Sequence, residues 1–331
     1  MNKQILLKSR PIGMVTTDHF EIVADDIFSL KEGDLLVKAK YISVDPYMRG
    51  RMSDTDSYVA PFEVGKPIEG GVIAEVTESK HPGFKAGEFV LGNLKWKENQ
   101  VVNGSLVTKV DKNLAPLSYY LGILGMPGLT AYFGLSNIGN PQPGETVIVS
   151  GAAGAVGMVV GQIAHIKGCR VVGIAGSENK AKILKEQFNF DEVINYHEKK
   201  DMTEAIKKAC PDGVDVYYDN VGGDISDAVL QNINKQARII LCGQISLYNS
   251  TETPVGPRPQ VTLLKKSALM KGFIISDYVQ QFPEGIKQLV GWIKEGKLTY
   301  NETILKGFDS LPQAFIGLFK GENIGKLLVE V

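Results

Sequence analysis

The chain has 331 residues, 44% hydrophobic and 22% charged, with a formal net charge of -1. That is an ordinary globular composition for about two domains, and it provides no basic field for nucleic acid or an anionic membrane. Three scattered cysteines, Cys169, Cys210 and Cys242, argue against a disulfide framework and fit a reducing, cytoplasmic setting; the apolar runs are too short for a signal peptide or a bilayer span.

Taken in chain order, the first 120 or so residues read as β structure with many turns. "DLLVKAKYISV" (34–44) and "GGVIAEVTES" (70–79) alternate apolar and polar side chains in part, as half-buried strands do. "HPGFKAGEFVLG" (81–92) sets turn residues between short apolar pieces. Pro141-Gln142-Pro143-Gly144 is a break, and the pattern then changes. Short apolar runs at 145–150, 169–176, 191–196, 213–221 and 237–243 read as strands. Helical stretches separate them: from the glycine loop to about Lys167, then 178–188, 202–210 and 224–233. Parallel strands need crossovers, usually helical, so this alternation predicts an α/β doubly wound parallel sheet. "ALMKGFIISD" (268–277) reads as a further strand, and "GENIGKLLVEV" (321–331) ends in a strand that returns to the first domain.

At the first strand–helix junction stand Gly151, Gly154 and Gly157, a G-x-x-G-x-x-G spacing. One glycine serves a tight turn, one lets backbone approach a pyrophosphate, and one lets helix and strand pack closely. The helix N-terminus then offers free N–H groups to the phosphates. A ligand-free strand–helix turn uses glycine too, but the place at the head of a five-unit alternation favours a dinucleotide. No Lys-Ser/Thr pair follows, so a triphosphate loop is not supported. The second strand ends Ala175-Gly176-Ser177 with Lys180 close by; the acid that NAD binders place on the ribose is missing at the strand end itself, though Glu178 lies close. Ser177 and Lys180 suit a 2′-phosphate, hence NADP. They also read as the N-cap and solvated face of the next helix, and the two readings are compatible.

Several motifs together carry a resemblance: "VSGAAGAVGMVVGQIAHIKGCRVVGIAGS" (149–177), "DNVGG" (219–223), "GQISLYN" (243–249), "SVDPYMRGRMSD" (43–54), "GMPGLTAYFGL" (125–135) and "GENIGK" (321–326). The chain resembles the zinc-independent medium-chain dehydrogenase/reductases of the prostaglandin reductase and alkenal double-bond reductase type. The resemblance implies a GroES-like β domain of residues 1–125 and 300–331. It implies a Rossmann NADP-binding domain of residues 126–299, with the active site in the cleft. By position, Gly154, Ala155, Val156 and Gly157 would hold the pyrophosphate of NADP, and Lys180 and Tyr196 its 2′-phosphate. Asn220 would contact the cofactor. Cys242, Gly243, Ile245 and Tyr248 would line the nicotinamide side, Phe273, Ile274 and Ile275 would back it, and Asn323 would reach it from the tail. The resemblance also implies a homodimer formed through the Rossmann domains, with residues 268–275 at or near the interface.

Zinc alcohol dehydrogenases share that fold but need a Cys, a His and a second Cys or acid. Here the corresponding stretches read Ser43-Val44-Asp45 and Ile68-Glu69-Gly70, and no cysteine precedes Cys169, so no metal is expected. Without a Lewis acid, reduction of a C=C bond conjugated to a carbonyl is easier than reduction of a plain ketone. Negative charge then gathers on the carbonyl oxygen, which needs hydrogen-bond donors. Tyr248 is the expected donor, and Tyr47 is expected to line the substrate pocket. The alternatives are a cofactor-positioning or plain loop tyrosine at 248 and a packed tyrosine at 47. Arg49 and Arg51 read as structural or solvated before they read as a seat for an acidic substrate tail. "SLYNSTETPVGPRP" (246–259) reads as a mobile flap or as a plain surface loop. The four histidines match no triad. A small enone or alkenal is thus the expected substrate. A quinone reductase of the same superfamily and a non-catalytic NADPH-binding sensor are the alternatives.

Overall fold

The computed structural model describes residues 1–26 and 29–331. Lys3–Leu7 (β1) and Phe20–Ala24 (β2) form a two-stranded antiparallel ribbon with Leu7 opposite Phe20. Asp34–Ser43 (β3) organises a larger sheet. Leu35, Val37 and Ala39 alternate into the core, as the sequence pattern requires. A four-residue helix, Met48–Arg51 (α1), follows. Glu69–Ser79 (β4) pairs along one side of β3, Phe89–Lys95 (β5) pairs with β4, and Asn99–Asn103 (β6) pairs with the first half of β3 on its other side. Thr108–Val110 (β7) adds to β5. Trp96, almost fully buried, stacks on Phe20 at 6.5 Å in the core beneath.

From residue 123 the chain changes class. Met126–Phe133 (α2) runs into a wider helical turn, Gly134–Gly139. Thr146–Ser150 (β8) is buried at every position and feeds the helix Gly157–Ile166 (α3). Arg170–Ala175 (β9), Glu178–Phe188 (α4), Glu192–Asn195 (β10), Met202–Ala209 (α5), Val214–Asp219 (β11), Gly223–Leu230 (α6) and Ile233–Leu241 (β12) follow in alternation. Gln260–Lys266 (α7), Leu269–Gly272 (β13) and Phe282–Lys294 (α8) complete the series. The sheet order is β10-β9-β8-β11-β12-β13, all parallel. The order reverses between β8 and β11, which is where such sheets open a crevice at their carboxyl ends.

Two elements depart from the sequence reading. β12 begins at Ile233, where a helix was expected to end. Its pairing with β11 jumps from Val214–Ile233 to Val216–Arg238, with Gln236 at a positive φ of 63° in the bulge between. β13 stops at Gly272 instead of running to Asp277, because its neighbour β12 ends at Leu241, opposite Gly272, and offers no ladder beyond. Residues 275–281 form a 3₁₀ turn instead.

The chain then returns to the first sheet through Glu302–Lys306 (β14), Leu311–Phe319 (α9) and Lys326–Glu330 (β15). β15 pairs antiparallel with the end of β3, Leu328 opposite Ser43, and β14 lies on its outer side. By contacts the described residues divide into two units. One is Met1–Gly122, Glu302–Asn323 and Leu327–Val331, and the other is Ile123–Asn301 with Ile324–Lys326. No helix among the described residues is long and apolar enough to cross a membrane.

Candidate active site

The carboxyl ends of β8, β11 and β12 are tied together around one buried carboxylate. Asp219 closes β11 and is fully inaccessible. Its Oδ1 accepts from Ser150 Oγ at 2.9 Å, Tyr217 Oη at 2.7 Å, and the Val221 and Gly222 amides at 3.0 and 2.9 Å. Its Oδ2 accepts from Gln244 Nε2 at 3.0 Å. A buried carboxylate persists only with such partners. The Asp219 carbonyl accepts from the Cys242 and Gly243 amides at 2.9 and 3.0 Å, which brings the loop after β12 against the end of β11. Asn220 is fixed by its Nδ2 on the Ser150 carbonyl at 2.8 Å.

The glycine loop lies beside this network. Gly151 has φ 59°, and a methyl group there would stand 3.4 Å from Asn220 Cβ. Gly154 N–H closes the turn onto the Gly151 carbonyl at 3.0 Å. At Gly157 space is the limit: a Cβ would lie 2.4 Å from the Gly151 oxygen and 2.8 Å from Ala152 Cα. Among the described residues, the Ala155 and Val156 amides take no backbone acceptor. They are free donors at the positive end of α3, the arrangement that receives a phosphate.

A second cluster stands at the end of β9. Ser177 caps α4 by accepting the Lys180 amide at 3.3 Å. The Tyr196 hydroxyl reaches to 2.9 Å from the place a Gly176 methyl would take. Tyr196 thus lies over Gly176, with Ser177 and Lys180 at the start of the helix that follows, and there is no carboxylate on the strand end itself. Burial pulls the Lys180 ammonium below its ordinary range.

On the other side, Tyr248 Oη accepts the Gln244 amide at 3.4 Å and stands 3.4 Å from where a Gly243 methyl would be. Its oxygen is engaged as an acceptor, so its proton is free to be given. Burial raises this hydroxyl above the usual tyrosine range, with the Gln244 amide acting the other way. The Cys242 thiol, pushed up to about 12 by burial, bonds the Tyr218 hydroxyl. That hydroxyl also donates to the Thr130 carbonyl at 2.8 Å, and Tyr218 and Phe273 close together over Gly134. Ile245 opens the turn that carries Tyr248, and Ile274 and Ile275 follow β13, all three half-buried. Gly151, Asn220, Cys242, Gly243 and Tyr248 are thus gathered around the Asp219 network, while Ser177, Lys180 and Tyr196 form a separate group.

Tyr47 and Asn323 belong to the other unit. Tyr47 precedes α1 and packs against the core of that unit. Burial holds its hydroxyl well above the usual range, and a hydrogen bond from Arg51 works against that. Arg51 donates to the Ala60 carbonyl at 2.9 Å and lies 4.0 Å over the Phe62 ring. Arg49 donates to Ser53 and to the Pro11 and Gly13 carbonyls. Both arginines are structural. Ser43, in the stretch that aligns with a zinc cysteine, donates to Asp45. Asn323 is half-buried between α9 and β15. Sequence reasoning missed Asp219, Ser150 and Gln244. The one available signal was an acid closing the apolar run "VDVYYD" (214–219).

A model described as the N-terminal domain of oxidoreductase matches residues 3–110, and one described as zinc-binding dehydrogenase matches residues 155–292. YfmJ of Bacillus subtilis, which carries a provisional name as an NADP-dependent oxidoreductase, is 57% identical over 99% of this chain and 97% of its own. An NADP-dependent 2-alkenal reductase of Nicotiana tabacum is 44% identical, covering 100% of this chain and 97% of its own. The crystal structure of CurA from Vibrio vulnificus in complex with NADPH superposes with a TM-score of 0.95 at 43% identity, over 99% of each chain. The chain belongs to the medium-chain dehydrogenase/reductase family, with a GroES-like and a Rossmann unit.

Proposed function

We propose that this protein is an NADPH-dependent reductase of C=C bonds conjugated to an aldehyde or ketone carbonyl. The observation that carries the cofactor choice is the end of β9, where Tyr196 lies over Gly176 and Ser177 and Lys180 begin the next helix, at the place where an NAD binder would present a carboxylate. The relatives named for NADP chemistry support it, and the 2-alkenal reductase supports the substrate class. The free amides of Ala155 and Val156 fit the pyrophosphate, and Gly243, Cys242, Phe273, Ile274 and Ile275 fit one wall of the nicotinamide.

NADPH, when bound, supplies a hydride to the β-carbon. The C=C π pair becomes a new double bond between the α-carbon and the carbonyl carbon, the carbonyl π pair moves onto the oxygen, and an enolate results. The Tyr248 hydroxyl, its oxygen already accepting from Gln244, donates to that oxygen. The enolate then takes a proton of solvent origin at the α-carbon as its C=O bond re-forms, and the product is the saturated carbonyl compound. No metal enters this scheme: in the stretch that should carry the first zinc cysteine, Ser43 donates to Asp45.

We further propose a cytoplasmic homodimer. β13 is an edge strand whose outer side has no partner among the described residues, and Val261, Leu264, Leu269 and Val279 around it are more than two-fifths exposed. Such an edge calls for a cover. A solution mass of twice the 36.0 kDa chain is expected, and a single-chain mass contradicts the dimer.

The test of function is NADPH consumption with 2-alkenals, identifying the product. A saturated aldehyde supports the proposal. Consumption with matched quinones and none with alkenals refutes it.

A further inference from the structure

Three residues from the C-terminal stretch belong to the nucleotide unit: Ile324–Lys326. Gly325 N–H donates to the Ala153 carbonyl at 2.8 Å, and Gly154 and Gly325 form a parallel bridge. The next amide, Lys326 N–H, donates to the Asn301 carbonyl at 3.1 Å. The tail is therefore hydrogen-bonded directly into the glycine loop, one and two residues ahead of the free Ala155 amide. Only glycine fits. Gly325 has φ 69°, and a Cβ there would lie 1.9 Å from the Asn301 oxygen and 3.0 Å from Met158 Cε. Met158 is fully buried in the first turn of α3, so a side chain at 325 would press on the helix that presents the phosphate donors.

We propose that Ile324–Lys326 is a latch on the glycine loop and that Gly325 is a positioning residue for NADPH, acting through the Ala153 carbonyl and not by touching the cofactor. This rests on the reading of the loop as the pyrophosphate seat. A loop held in place beforehand loses less conformational entropy on binding. By linkage, the docked latch and the bound cofactor favour each other by the same factor.

The first test uses the unmodified protein, with amide hydrogen exchange at residues 153–157 and 324–326, with and without saturating NADPH. The Ala155 and Val156 amides should slow, and Gly325 should slow with them by a comparable factor. Loop amides that slow while Gly325 does not would overturn the latch alone. Loop amides that do not slow would overturn the pyrophosphate seat and the latch with it. The second test compares NADPH with 2′-AMP, which has no pyrophosphate and addresses only the Ser177–Lys180–Tyr196 cluster. Gly325→Ala should weaken NADPH about tenfold or more and leave 2′-AMP within about twofold. Equal effects on both ligands, or none, contradict the latch, and the exchange experiment decides it if the variant does not fold.

Discussion

Gly157→Ala tests the glycine loop where space is the constraint. The added Cβ would sit 2.4 Å from the Gly151 carbonyl oxygen and 2.8 Å from Ala152 Cα, against an ordinary contact of 3.4 Å or more. Both obstacles are backbone, so no side chain can swing aside. The loop must withdraw from α3 by about 1 Å. Overpacking of this kind costs about 1–3 kcal/mol, and alanine's better helix propensity returns roughly 0.5–1 kcal/mol. The net loss is about 0–2.5 kcal/mol, or a fall in Tm of at most roughly 10 °C for a unit of this size. The effect on binding is larger than that on stability. A displaced loop misaims the Ala155 and Val156 amides, and hydrogen bonds to a charged group are worth about 1.5–3 kcal/mol each. Titration of NADPH fluorescence should therefore give a Kd raised roughly 10- to 100-fold, with 2′-AMP binding little changed. A folded variant whose NADPH Kd stays within about twofold of the parent refutes the reasoning, because a phosphate seat cannot tolerate that displacement.

Three further substitutions address the remaining parts. Lys180→Ala should raise the NADPH Kd about tenfold or more and leave NADH almost unaffected, since only the 2′-phosphate distinguishes them; equal losses for both coenzymes would remove Lys180 from the specificity cluster. Tyr248→Phe should lower kcat about 100-fold, as loss of an oxyanion donor does, with the KM for NADPH nearly constant. Because burial raises the Tyr248 hydroxyl, the donating form persists above the ordinary tyrosine pKa of about 10. A pH profile of kcat should show no alkaline fall with a midpoint below about 10, and a lower midpoint assigned to this residue would contradict the donor role. Asp219→Asn replaces an acceptor of five donors with a group that carries donors of its own, leaving buried N–H or O–H groups unpaired at about 1–3 kcal/mol each. Thermal unfolding should show a marked drop in Tm, and an unchanged Tm would mean that the carboxylate does not hold the strand ends together.

The Rossmann unit was legible because β8, β9 and β11 are buried on both faces and so read as short unbroken apolar runs. β12 was misjudged at its start because Asn234, Lys235 and Gln236 interrupt the run, and only pairing with β11 draws Ile233 into the strand. β13 was overextended because apolar character continues past Gly272 while its partner strand does not. In the site, the three glycines announced themselves by spacing, but Asp219 did not. It is one of 37 acidic residues, and its partners Ser150 and Gln244 lie 69 and 25 positions away. The latch between Gly154 and Gly325 spans half the chain and leaves no local pattern at either end. Such features are products of packing and cannot be read from periodicity.

The most direct test of the central claim follows the hydride itself. With NADPH deuterated at the transferable C4 position and a 2-alkenal as substrate, the saturated product should carry one deuterium at the β-carbon and solvent hydrogen at the α-carbon. Deuterium at the carbonyl carbon, giving an unsaturated alcohol, would contradict the account.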